Sequence, residues 1–215
     1  AQVGCRAMFP SSLPAFLHSL FAAAFLGLVA TVPAAALNSS ATATAIASLT
    51  DPAKLLTLKK GERAANPRLK KAVYWLAEAR LRGYDPDAII DQAQRMNREA
   101  GSPRAALVKE SLLRNLDIMD KLGCMDPENL ARMRRGLAPV ITKGPYKGQD
   151  AEVDHIVPKA VCPEVENEIA NLELLPMSLN RSKGARIGVR QRDMAKKFFE
   201  AGLISEKSYK RVLQA

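Results

Sequence analysis

Five of the thirteen prolines in this chain stand at one kind of place. "DP" at 51–52, "NP" at 66–67, "DP" at 85–86, "SP" at 102–103 and "DP" at 126–127 each set a side-chain oxygen directly before a proline. At a helix start that oxygen accepts from a free amide of the first turn. Proline at the first helical position gives up a hydrogen bond that no helix makes there. Glycines stand where C-caps belong, at Gly61, Gly101, Gly123 and Gly136, and the second segment is expected to end near Gly83. Between these marks the apolar spacing is helical, as in Leu69, Val73, Leu76 and Ala77, or Leu112, Leu116 and Met119. Residues 51–137 are therefore predicted to form a small helical bundle, and the uneven spacing of its starts excludes a repeat array. Its Leu, Met and Trp75 stripes read as core, and nothing in it reads as chemistry.

After Leu137 the texture changes. "APVIT" (138–142) is β-prone, "KGPYKG" (143–148) is a turn, "AEVDHIV" (151–157) a second strand and "NLELL" (171–175) a third. From Met177 the pattern turns helical and basic, with ten Lys or Arg against three acids over 176–215. The expected class is α+β and mostly helical. Upstream, "LNSSATATAIASLT" (37–50) reads as a flexible small-residue linker. Residues 1–36 read as a signal peptide. No charged side chain occurs between Arg6 and Asp51, "LFAAAFLGLVA" (20–30) is a compact apolar run, and Ala34 and Ala36 suit signal peptidase. An uncleaved anchor is the competing reading, since Leu13 to Ala36 is long enough to span a bilayer. Either way the body of the protein is expected to be exported, to a periplasm or the exterior.

A net charge of +10, of which Arg6 is the only part lost with residues 1–36, implies a polyanionic partner or an anionic membrane surface. Aromatics at 5% count against a base-stacking single-strand binder. Cys124 and Cys162 are too few for an all-cysteine zinc site. In an oxidising compartment they either pair as a disulfide or stay free.

The polar residues that remain fall in one frame, "DHIVP…NLELLPMSLNRSK". Asp154 and His155 are followed sixteen residues on by Asn171, nine further by Asn180, and then by Lys183. This frame resembles the HNH endonuclease family, whose ββα-metal motif reads D-H-x-x-P, N-L-x-L, then H or N before a lysine. The likeness covers roughly residues 138–190, and asparagine at 180 makes it the H-N-N form. It implies a nuclease domain over 138–200, after the helical region 51–137 and before a C-terminal helix at 201–215.

The resemblance implies Asp154 and Asn180 as metal ligands. Both offer hard oxygens of the kind that suit Mg²⁺, with Mn²⁺ a substitute. It implies His155 as general base and Asn171 as the residue that ties the loop and orients the imidazole, away from substrate. Asp154 and His155 are neighbours, so a regular strand would point them to opposite faces, and a bend or bulge is expected to reconcile them. Arg181, Lys183, Arg186 and Lys147 are candidates to meet phosphate. The implied activity is metal-dependent hydrolysis of phosphodiesters in an exported enzyme. DNA is the expected substrate, read with low sequence specificity, and RNA is an open alternative. The competing readings are a non-catalytic nucleic-acid-binding module on a degenerate scaffold and a basic cell-surface binder.

Overall fold

A computed structural model describes residues 38–215; the leader or anchor assigned to residues 1–36 lies outside them. The first element corrects a prediction. Residues 37–50 are no linker: α1 (Ser39–Thr50) is a capped helix, in which Asn38 accepts from the Ala41 amide at 2.7 Å. Its threonines turn inward on their own backbone, Thr42, Thr44 and Thr50 donating to the carbonyls four residues back. That leaves the small face of Ala43, Ile46 and Ala47 free to bury against α3 (Asn66–Leu81) and α4 (Pro86–Met96). Small, polar composition here marks close helix packing.

The proline starts produce helices at all five places, including α2 (Pro52–Leu56), α5 (Pro103–Lys121) and α6 (Pro127–Arg134). Asp51, Asp85, Ser102 and Asp126 cap them as expected. Asn66 does not. The preceding turn already brings Ala65 into helical geometry, so Asn66 is the first helical residue and its Oδ1 is buried without a partner. Two ends also differ. α2 stops five residues short of Gly61, and the left-handed residue that ends α4 is Arg98 (φ 58°), with Gly101 (φ 81°) three residues further on. Gly123 does cap α5 (φ 72°), and only glycine fits, because a Cβ there would lie 2.3 Å from Thr142 Oγ1.

Strand β1 (Ala151–His155) pairs antiparallel with β2 (Leu172–Pro176), in register from Ala151↔Pro176 to His155↔Leu172. "APVIT" forms no strand; it contributes one isolated bridge, Val140↔Asp150. Helix α7 (Met177–Lys183) follows β2 directly, then α8 (Val189–Glu200) and α9 (Glu206–Gln214).

A two-stranded ribbon is marginal alone, and α5 braces this one. Ser111 Oγ donates to the carbonyls of Ile169 (2.9 Å) and Leu172 (3.1 Å). Asn115 donates to Leu172 O at 3.0 Å and accepts from Leu174 N at 2.7 Å. Leu172, Leu174 and Ile156 share one core with Leu112 and Leu116, and residues 38–215 belong to one compact unit.

Of the two alternatives open for the cysteines, the structure shows the free thiols. Cys124 and Cys162 are both free and fully buried, Cys124 lying 3.6 Å from the Val140 carbonyl. Burial pushes the Cys124 thiol up to about 11, with the Asp126 charge adding to it, and raises Cys162 as well.

Candidate active site

Burial along β1 alternates, with Ala151, Val153 and His155 inward and Glu152 and Asp154 on the opposite face. No bulge interrupts the register. The strand simply ends at His155, and an open cleft of about 540 Å³ runs past that end. Its lining takes Glu152 and Asp154 from one face and His155 from the other. Asn180 and Arg181 on α7 complete that side, with Pro158 and Lys159 from the loop after β1. The expected bend is therefore replaced by a chain terminus of the sheet.

His155 is 7% exposed, and its Nε2 lies 2.9 Å from the Glu166 main-chain carbonyl. A carbonyl only accepts, so Nε2 carries the proton and Nδ1 keeps its lone pair. Burial lowers the imidazole's affinity for a second proton. The Glu166 carbonyl and the Asp154 and Glu166 charges oppose this without overcoming it, so the ring titrates below its ordinary value and is neutral at pH 7.

Asn171 has no exposed surface. It accepts from Val157 N at 2.8 Å and donates to Val157 O (2.9 Å) and Val165 O (3.2 Å). It thus locks the start of the loop after β1 to the residue before Glu166, which holds the imidazole. Asn171 faces this loop and not the cleft.

Asp154 and Asn180 reach the same cleft, each with one oxygen committed elsewhere or spare. Lys183 Nζ donates to Asp154 Oδ2 at 2.6 Å and to His155 O at 2.6 Å. Asn180 Nδ2 donates to Glu152 Oε2 at 2.8 Å. What remains is Asp154 Oδ1 and Asn180 Oδ1, both hard donors. That pair fits Mg²⁺ or Mn²⁺ completed by water and phosphate oxygens. Among the described residues no cluster of three or more His, Cys, Asp or Glu is placed to hold a metal.

These contacts place the four phosphate candidates differently. Lys183 acts as a tether, giving two of its three ammonium donors to Asp154 and the His155 carbonyl. Arg186 folds back on the Ser182 and Lys183 carbonyls at the end of α7, and lines a separate groove with Glu173 and Arg190. Lys147 is exposed on the 143–148 turn and is not part of the cleft lining. Arg181 does line it.

The sequence reading also missed residues. Glu152, two before Asp154, shares its face by the period of a strand and was legible in principle. Glu166 was not. Its carboxylate accepts from Gly61 N at 2.9 and 3.0 Å and from Lys159 at 3.2 Å. Burial would raise its pKa, but the Gly61 amide and Lys159 outweigh that and hold it below the usual range. Arg63, in the loop between α2 and α3, lines the cleft from the helical region and carries no sequence signal at all.

No protein-family model matches this chain, and no curated protein or solved structure does.

Proposed function

We propose that the protein is a metal-dependent endonuclease of the HNH type, the H-N-N form, that hydrolyses phosphodiester bonds in DNA and acts after export. One observation carries the reading. A neutral imidazole with its Nε2 fixed by a carbonyl shares a single cleft with two spare hard oxygens, those of Asp154 and Asn180.

In the reaction, His155 Nδ1 takes a proton from the attacking water. The water oxygen bonds to phosphorus as the P–O3′ bond breaks, and the departing 3′-oxygen takes a proton from solvent water, giving a 5′-phosphate and a 3′-hydroxyl. A divalent cation held by Asp154 and Asn180 would supply positive charge to the phosphoryl and departing oxygens. Glu152 fixes the Asn180 amide so that its oxygen, not its nitrogen, faces the cleft. Lys183 holds Asp154 and the His155 backbone in one register. Asn171 keeps the Glu166 carbonyl in place behind the ring. The lining residues include no Phe, Tyr or Trp, which suits grip on the backbone over reading of bases.

The second reading, a non-catalytic nucleic-acid-binding module, has one observation in its favour. Asp154 and Asn180 already have side-chain partners in Lys183 and Glu152, so one polar atom of each is satisfied without a metal. The two readings separate on plasmid and linear DNA, and RNA, incubated with Mg²⁺, Mn²⁺ or chelator. The nuclease cuts with metal, stops with chelator, and loses cleavage but not binding in His155→Ala. Binding without cutting in every metal establishes the second reading.

A further inference from the structure

We infer that Arg63 is a substrate-phosphate ligand, so that the helical region closes the cleft and takes part in gripping the nucleic acid. The inference rests on the nucleic-acid reading of the cleft, and not on its catalysis. Arg63 lines the same cavity as Asp154, His155 and Asn180 while coming from the loop between α2 and α3. Among the described residues its guanidinium makes no hydrogen bond or ion pair, whereas Lys159 and Lys183 beside the cleft are both engaged. Arg181, on the α7 side, is likewise unengaged. Two spare cations thus bracket the candidate chemistry from two elements.

The backbone explains why an arginine sits there. Arg63 has φ 51°, a left-handed conformation that non-glycine residues avoid, two residues after Gly61 at φ 86°. The loop is held in that shape from below. Glu166 accepts from the Gly61 amide, and Asn167 donates to the Leu58 carbonyl at 3.1 Å. The same Glu166 presents its main-chain oxygen to His155. One short segment therefore sets both the imidazole and the Arg63 loop. A planar guanidinium with all its donors free matches phosphate oxygens in pairs.

The test uses Arg63→Gly, because glycine takes the left-handed backbone at no cost and removes only the side chain. Arg98→Ala serves as control, since Arg98 is also left-handed (φ 58°) but caps α4 outside the cleft lining. Binding of a labelled DNA duplex is measured in chelator over a range of salt concentrations, with cleavage in Mg²⁺ alongside. Arg63→Gly is expected to flatten the slope of log K against log salt by about 0.9 for the one lost phosphate contact. Arg63→Lys is expected to restore that slope, and Arg98→Ala to leave it as in the wild type. A wild-type slope and KM in Arg63→Gly overturn the inference. Wild-type protein that binds DNA and never cuts it sinks the nuclease proposal while the slope still decides Arg63, and wild-type protein that binds no nucleic acid sinks both.

Discussion

Replacing Asn171 with alanine should cost about 3–5 kcal/mol, although the residue touches no cleft and carries no charge. The side chain makes three buried hydrogen bonds, to Val157 N, Val157 O and Val165 O. Val165 O keeps a second donor, Glu168 N at 3.3 Å, so its loss is softened. Val157 N and O have no other partner among the described residues. Each stranded buried group costs roughly 1–3 kcal/mol, and a small cavity adds to that. For a domain stable by about 5–15 kcal/mol this is a large share. In urea, with a slope of about 2 kcal/mol/M, the midpoint should fall by about 2 M.

Asn171→Asp is the sharper variant. It keeps the acceptor for Val157 N but turns a carboxylate towards two carbonyls, so at pH 7 it should lose at least as much. Its buried carboxyl would have a raised pKa, and the defect should ease as pH falls and the acid regains a proton to donate. A loss below about 1 kcal/mol for alanine, or wild-type stability for aspartate at pH 7, would refute the loop lock.

Two further outcomes follow from the core and from α9. Native protein at pH 8 should resist thiol reagents at Cys124, whose thiolate fraction at a pKa of about 11 is on the order of a hundredfold below that of a thiol near 9, while the unfolded chain labels at both cysteines; brisk native labelling, or an intact disulfide on non-reducing analysis, contradicts the structure. Glu164 anchors the start of α9 by accepting from Ser205 N, Ser205 Oγ and Ser208 Oγ at 2.6, 2.7 and 2.6 Å. Burial raises its pKa, but these donors and Lys60 hold it below the usual value, so its stabilisation is present above the unfolded pKa and is lost as pH falls through the folded one. The difference in melting temperature between wild type and Glu164→Gln should thus be constant near neutrality and shrink below about pH 4; a difference that grows on acidification would show the sign to be wrong.

Much of the scaffold was legible because its signals are local. Proline after a capping oxygen marked five helix starts, and the strand–loop–strand–helix order around Asp154, His155, Asn171 and Asn180 follows from residues near each other in sequence. Failures cluster where the deciding partner is remote. Nothing in "LNSSATATAIASLT" reveals that α3 and α4 will cover Ile46. Lys183 looks like a free cation until β1 delivers Asp154 beside it. A disulfide was entertained from compartment chemistry, yet each thiol is buried in its own part of the core.

The remote partners share a pattern that explains why the helical region exists at all. The sheet has two strands, too few to hold a cleft at fixed geometry. Several points where it would fray are held by a side chain or amide from residues 51–137. Ser111 and Asn115 on α5 clasp the open edge of β2. Gly61 secures Glu166, whose carbonyl orients His155. Arg104 pairs twice with Glu168, at 2.9 and 3.2 Å, and also with Glu99, fixing the turn that leads into Asn171. Such a buried ion cluster adds little net stability but penalises any arrangement that separates its members. The helices therefore act less as a separate domain than as the outer frame of the cleft, and a side chain such as Arg63 can line it because that frame is already in contact with the residues around it.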